Sequence, residues 1–413
     1  MNRFLYDIFL ALYQLAVRIS SPFNLKAKKW VEGRQHVWDE LERLQDSGKK
    51  RIWFHCASLG EYEQALPLIE KFQNDSEIII TFFSPSGYEI VKKKDNDARV
   101  FYLPHDSKAN AEKFLDKIKP SLAVFVRYDL WFYYLKTLRQ RNIHSILISA
   151  VFRKEDVFFQ WHGGFFREML SCFAHIFVQD DDSRKLLSKH GFTNVTKSGD
   201  TRIDRVISIQ EQARQFPVVE RFKGEKEIFL IGSLEPNDEK VMLPVINDSD
   251  IARQFKFIIA PHNVSKDYVG KLAQNINWKV VLNSKTNPDS AVEGDVLIID
   301  SIGMLSSLYR YARIAYIGGG FGEGLHNVLE PAAWGIPVFI GPKHQKFLEA
   351  VELTRRGGAF AINDAGELKK KVMNLLANQK ALEKAGDLAS SFINEENGGT
   401  QIILDKIIRD KMA

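Results

Sequence analysis

The chain has 413 residues, more than one ordinary hydrophobic core holds, so its length points to two domains of about 200 residues each. A hydrophobic fraction of 45% with 26% charged residues excludes intrinsic disorder and a polytopic membrane protein. The net charge of +5, from 57 basic and 52 acidic residues, argues for no nucleic-acid partner, and the only cysteines, Cys56 and Cys172, sit in apolar runs without metal or CxxC spacing, as inert core thiols of a reducing compartment do.

Residues 4–17, FLYDIFLALYQLAV, are apolar, but Asp7 interrupts them and Arg18 ends them before the roughly 20 residues of a membrane span accumulate. No small-residue cleavage site follows, as a signal peptide requires; Lys26, Lys28, Lys29 and Arg34 do, with Trp30 among them. Apolar helix and basic flank, residues 1–30, predict a segment lying in the interface of an anionic membrane. The other reading is a helix packed on the protein's own core.

From residue 51 short β-branched or aromatic runs alternate with helical stretches, which predicts a parallel sheet covered on both faces. The candidate strands are 51–56, 77–83, 99–104, 122–126, 144–149 and 175–179. After the first, Glu61 opens a helix whose apolar positions Ala65, Leu68, Ile69 and Phe72 recur at helical spacing, and Pro67 inside it predicts a kink. A glutamate there either complements the helix dipole or offers a carboxylate at the mouth of a cleft. Ser86 and Glu89 fit a capping box. The stretch DVFFQWHGGFF, 156–166, is too apolar for a plain loop and is either core or a surface that meets lipid. QDDDS, 179–183, begins a helix, where aspartates are favourable without a metal.

The alternation breaks near residue 205, giving domains 31–205 and 206–413, with the last helix able to cross back. A second series of strands follows at 227–233, 255–261, 279–283, 295–300, 312–318 and 336–341. The fold class predicted is α/β, two Rossmann-like doubly wound domains facing across a cleft lined by the carboxyl ends of their strands. The strongest single feature is YIGGGFGEGLHNVLEPAAWGIPVFIGP, 316–342. Strand, glycine turn and helix in that order predict that Gly318, Gly319 and Gly320 let the backbone approach a ligand. Asn327 is then the helix cap, the first-turn N–H groups a phosphate site, and Glu330 an acceptor for sugar hydroxyls. Glu323 stands where a dinucleotide fingerprint wants its third glycine, and no P-loop motif occurs. His262 and His326 are the histidines expected near the ligand, and no metal is expected.

ASLGE (57–61), SGDTRID (198–204), GSLEPNDE (232–239), APHN (260–263) and GGG…HNVLEPAAWGIPVFIGP (318–342) together resemble the lipid A Kdo transferases, the 3-deoxy-D-manno-octulosonic acid transferases of lipopolysaccharide synthesis. The resemblance implies a GT-B glycosyltransferase at the cytoplasmic face of the inner membrane. It implies CMP-Kdo as donor, the 6′-hydroxyl of a lipid A precursor (lipid IVA) as acceptor, and no cofactor. It makes Glu61 the general base and puts Arg202 where the family has a lysine that stabilises the transition state. Pro261, His262, Gly318, Gly319, Gly320, Asn327 and Glu330 fall on donor-contact positions, with Lys343 and Lys346 of GPKHQK as weaker matches. The family's E-T-E-L-W-P-N is here RYDLWFY, so Arg127 replaces a glutamate and Asp129 keeps an acid at the second acid site; the family's P-R-H is here Pro261, His262, Asn263.

One base suffices for such a reaction, because a nucleotide phosphate leaves as a stable anion and, unlike a glycosidase leaving group, needs no proton. Glu61 would deprotonate the acceptor hydroxyl while Arg202 and the helix opening at Asn327 stabilise departing CMP, with inversion at the anomeric carbon. The alternatives are a nucleotide-sugar epimerase on the same architecture and a non-enzymatic membrane-associated binding protein.

Overall fold

The computed structural model describes all residues except 1, 46, 95–98, 288–291 and 323, so Glu323 lies outside the described residues. The chain divides into two compact units, one running up to Asp204 and rejoined by Gly398–Ala413, the other spanning Arg205–Asn397.

The first unit is built on seven strands, β1 (Arg51–Cys56), β2 (Glu77–Phe82), β3 (Arg99–Tyr102), β4 (Leu122–Val126), β5 (His144–Ala150), β6 (His175–Val178) and β7 (Val195–Lys197), in the order β3-β2-β1-β4-β5-β6-β7. All pairings are parallel. The runs are mostly apolar because both faces are covered: in β1, Trp53 points into a core with Phe114, Phe125 and Tyr134, while Ile52 and Phe54 point into another with Ala65, Leu68 and Ile148. The strand order reverses between β1 and β4, which makes their carboxyl ends the topological switch point of this sheet. The helix Leu59–Phe72 continues past Pro67 as a single element.

The N-terminal helix, Arg3–Ser20, divides its faces. Tyr6 and Leu10 are buried in the core of this unit, and the Tyr6 hydroxyl donates to Asp106 at 2.6 Å. Asp7, which interrupts the apolar run, accepts from the Tyr133 hydroxyl at 2.7 Å. Phe4, Leu5, Leu12, Leu15 and Ile19 remain 50% to 70% exposed. No single described helix is long and apolar enough to cross a membrane; Arg3–Ser20 and Leu25–Glu42 meet the criterion only as a pair bent by 114°.

The basic flank is smaller than its sequence implies. Arg34 is turned inward, its guanidinium donating to the carbonyls of Leu103 (3.1 Å) and Phe83 (2.8 Å) and lying 4.0 Å from the centre of the Trp30 ring. Burial pushes its pKa down to about 10. Lys29 pairs with Glu89 at 2.8 Å, so Glu89 does not close the capping box expected with Ser86, whose hydroxyl meets Ser84 instead. In the aromatic stretch, Phe158 and Phe165 are core and Phe159 and Phe166 pack against it, while Trp161 is 93% exposed.

The second unit repeats the plan with β8 (Glu227–Leu234), β9 (Phe255–Pro261), β10 (Val280–Leu282), β11 (Val296–Ile298), β12 (Ile314–Ile317), β13 (Val338–Ile340) and β14 (Ala359–Ala361), all parallel in the order β10-β11-β9-β8-β12-β13-β14. Its switch point lies between β8 and β12. The sequence reading omitted β7 and β14, edge strands of three residues each: VTK in β7 is mostly polar, and AFA in β14 is too short to stand out as a run. In the last helix, Gly399–Arg409, Ile403, Leu404 and Ile407 join the core beside Ile52 and Phe54 in the first unit. Asp204 anchors its start, accepting from the backbone N–H groups of Gly398 (2.7 Å) and Thr400 (2.5 Å).

Candidate active site

At the switch point of the first unit, Ser58 in extended backbone caps the helix Leu59–Phe72 and Glu61 is its third residue. The Glu61 carboxylate folds back to accept from the N–H of Ser58 at 3.2 Å and from the N–H of Ala57. That is the capping-box role a first-turn glutamate commonly plays. Its surroundings add more. Burial, and next the negative charge of Asp129, push its pKa up to about 7, against the opposing pull of the Ala57 N–H, Arg127 and the Ser58 N–H. A carboxyl group with such a pKa changes protonation at neutral pH, the range a general base needs.

Asp129 and Arg127 come from the loop after β4, the neighbour of β1. Arg127 holds a left-handed backbone (φ 60°), and its buried Nε has no hydrogen-bond partner among the described residues. Its charge favours the ionised forms of Glu61 and Asp200 alike. Strained non-glycine backbone recurs at the strand ends of both units, at Ser149 (φ 52°) near the end of β5 and Ser233 (φ 53°) near the end of β8. Both sit where the register of their strand slips, so the strain marks bulges that re-aim the chain at the edge of a site. Asp129 is held by His55, fully buried in β1, whose Nε2 lies 2.6 Å from Asp129 Oδ2 and 2.9 Å from Trp131 Nε1.

Arg202 is oriented by Asp200. Its Nε lies 3.0 Å from Asp200 Oδ2 and 3.1 Å from Oδ1, and its terminal nitrogen 2.5 Å from Oδ2. Burial opposes the ionised form of Asp200, but the charge and hydrogen bonds of Arg202 overcome it and hold the pKa below the ordinary value. Gln64, one turn beyond Glu61 on the same helix, donates to Asp200 Oδ1 at 3.3 Å, and its carbonyl accepts from the Thr201 hydroxyl at 2.5 Å. The helix that carries Glu61 is thereby tied to the segment carrying Arg202. The fold brings Glu61, Arg127, Asp129 and Arg202 into one electrostatic neighbourhood. Sequence reading gave no role to His55, Gln64 or Asp200; Asp200 had a signal, since it stands within the SGDTRID segment.

In the second unit the glycines answer a different need from the one expected. A Cβ on Gly318 would lie 2.1 Å from the Ser233 carbonyl oxygen, one on Gly319 (φ 88°) 2.0 Å from that of Gly324, and one on Gly320 2.6 Å from the Gly341 nitrogen. The space belongs to the protein's own backbone, and the three residues are glycine because loops from β8, β12 and β13 meet there. Asp238, fully buried, fastens the junction by accepting from the Tyr316 hydroxyl (2.8 Å), the Gly319 N–H (2.8 Å) and the Glu235 N–H (3.0 Å).

Asn327 is not the N-cap. The helix is the short segment Leu329–Ala333 capped by Val328, and Asn327 Oδ1 accepts from the Leu329 N–H at 3.1 Å while its amide donates to Glu330 at 3.3 Å. Five residues make a weak dipole, and one first-turn donor is already taken. His262, following Pro261 at the end of β9, lies with its ring 4.7 Å from that of His326, and His326 Nε2 is 2.9 Å from Glu235 Oε1. Glu235, His262 and His326 each place one ligand atom within 4.8 Å of the others, a donor set that suits a divalent cation. Sequence reading placed His262 and His326 near the ligand but gave no role to Glu235. Lys343 and Lys346 are both exposed, and Lys343 donates to the carbonyls of Phe321 (3.3 Å) and Gly322 (3.1 Å), bracing the glycine loop.

Residues 32–205 match the family model described as 3-deoxy-D-manno-octulosonic-acid transferase (kdotransferase). The chain is 25% identical to a 3-deoxy-D-manno-octulosonic acid transferase of Aquifex aeolicus over 359 residues, 84% of this chain and 93% of that one. It is 25% identical to another from Chlamydophila psittaci over 415 residues, 96% and 94% of the two chains. Its fold is similar to that of UDP-GlcNAc 2-epimerase from Neisseria meningitidis, with a TM-score of 0.62 at 15% identity over 87% of this chain and 100% of that one.

Proposed function

The chain is a glycosyltransferase of GT-B architecture similar to the Kdo transferases, and from that premise we propose that it moves Kdo from CMP-Kdo to the 6′-hydroxyl of a lipid A precursor with inversion at the anomeric carbon. The observation that carries the reading is Glu61, a carboxyl group whose pKa of about 7 lets it accept the proton of an attacking hydroxyl and release it afterwards. The Glu61 cluster sits at the switch point of its sheet, where open α/β folds hold ligands. Arg202, aimed by Asp200, supplies a cation that offsets charge developing on the phosphate as CMP departs. The second unit binds the donor around Pro261, His262 and the loops at Gly318–Gly320 and Asn327–Glu330, with Lys343 bracing the loop and Lys346 reaching the phosphate from solvent.

Residues 1–30 rest on the cytoplasmic face of the inner membrane: the helix Arg3–Ser20 turns Phe4, Leu12, Leu15 and Ile19 outward, and Arg18, Lys26 and Lys28 are exposed beside them. The test is release of CMP from CMP-Kdo on addition of tetraacylated lipid A precursor, with CMP-sialic acid, UDP-GlcNAc and other UDP-sugars as comparison donors. Acceptor-dependent release from CMP-Kdo alone supports the assignment. Acceptor-independent turnover of UDP-GlcNAc would make the chain an epimerase, and no turnover of any donor would leave a binding protein.

A further inference from the structure

A cavity of 500 Å³ in the first unit lies beneath the N-terminal helix, walled by Phe9 and Leu10 of that helix, Trp30, Leu130 and Trp131 of the loop after β4, and Phe158 of the aromatic stretch. We propose that this cavity takes one fatty acyl chain of the lipid acceptor, so that the enzyme reads its acceptor by hydrocarbon as well as by sugar. The inference rests on the glycosyl-transfer reading above and adds the subsite that the reading leaves undefined. Its size is that of a small-molecule site.

The wall offers little to a polar ligand. The one carboxylate lining it, Asp106, is 3% exposed and already accepts from the Tyr6 hydroxyl (2.6 Å) and the N–H groups of Tyr133 (3.0 Å) and Tyr134 (3.2 Å). The other polar side chains of the wall, Tyr13, Gln14, His105 and Tyr128, are few beside its apolar residues, so a sugar or phosphate placed there would regain little of its hydration, whereas a hydrocarbon would gain by leaving water.

Position supplies the second argument. Leu130 and Trp131 directly follow Asp129, and the Trp131 indole nitrogen lies 2.9 Å from the His55 nitrogen that meets Asp129. A chain resting on Leu130 and Trp131 therefore carries its headgroup to the strand-end cluster of Asp129, Arg127 and Glu61. The third argument is access. Phe9 is both wall and surface, 58% exposed, and is continuous with the outward Leu5 and Leu12 of the same helix. An acyl chain leaving a bilayer on which that helix rests would reach the cavity along the apolar side chains of Leu5, Phe9 and Leu12. The aromatic stretch, whose sequence left core and lipid surface as equal readings, contributes to both through this wall.

The test uses full-length protein and cis-parinaric acid, titrated by fluorescence without vesicles and competed with myristate. Leu130→Trp and Val157→Trp fill the cavity from its half-buried rim; Leu12→Ser and Ile19→Ser alter only the outward face of the helix, and thermal melts confirm that all four variants fold. One saturable site is expected in the wild type, weakened at least about tenfold by each filling variant, since each methylene denied the cavity costs about fourfold, and unaffected by the serine variants. Absence of binding, equal binding by the filled variants, or loss on the serine variants alone would overturn the proposal. CMP release separates the two readings. Equal transfer to acylated and fully deacylated acceptors keeps Kdo transfer and removes the acyl site; fatty-acid binding abolished by filling, without CMP release from any acceptor, keeps a lipid cavity and removes the transferase assignment.

Discussion

Glu61→Gln tests the site because it should reduce activity and raise stability together. Glutamine keeps the acceptor oxygen that caps the N–H groups of Ala57 and Ser58, so the helix start survives, but it cannot take a proton. The carboxyl group has a pKa near 7 in the fold against an ordinary value of 4.5. At about 1.4 kcal/mol per pH unit this corresponds to at most about 3.5 kcal/mol of destabilisation by the ionised form, and less once partial exposure to solvent is allowed for. The sign follows from the raised pKa: the folded state binds the proton more tightly, so this group costs nothing below pH 4 and its cost grows as pH rises to 7, then stays constant. The variant should therefore melt a few degrees above the wild type at pH 8, at roughly 2–4 °C per kcal/mol for a unit of this size. The two proteins should converge at pH 4. CMP release should fall by about a hundredfold or more, while the wild-type rate should fall about tenfold per pH unit below 7 as Glu61 is protonated. Calorimetry at the two pH values, run beside the turnover assay, decides the matter. A variant that is active, or no more stable than the wild type at pH 8, refutes the reasoning from burial.

Arg202→Lys keeps a positive charge but cannot reproduce the guanidinium's contacts with Asp200, so turnover should fall at least about tenfold with the fold intact; an unchanged rate would remove Arg202 from the chemistry. Gly320→Ala would force a Cβ to within 2.6 Å of the Gly341 backbone nitrogen, and the second unit should lose about 1–3 kcal/mol, read as a lower melting temperature and weaker CMP binding. Asp204→Ala removes the acceptor of two N–H groups at the start of Gly399–Arg409, a loss of about 1–2 kcal/mol, and hydrogen exchange should show that helix less protected while the sheet of the first unit is unchanged.

Much of the fold was legible because parallel strands buried on both faces carry runs dominated by apolar residues, as Ile52, Trp53, Phe54 and Cys56 do in β1. VTK in β7 is mostly polar, and AFA in β14 is apolar but only three residues long, so neither was found. The same contrast holds at the site. That Glu61 opens a helix is a local fact, set by Ser58 and the apolar spacing after it. That its carboxyl titrates near 7 is not local: it follows first from burial and then from the charge of Asp129, 68 positions away, and both depend on β1 pairing with β4 and not on chain order.

By itself the sequence determined the alternation of strands and helices, the loops that carry ionisable and glycine residues, and the division near residue 205, because these depend on hydrophobic period and turn chemistry between near neighbours. Tertiary structure alone decided which charges are buried and what each glycine makes room for. Arg34 reads as part of a basic flank yet lies under Trp30 and Phe83, and Gly318 to Gly320 read as a ligand cradle yet admit their own neighbouring loops. Desolvation and close backbone approach depend on which segments the topology brings together, and that information is absent from any single stretch of the chain.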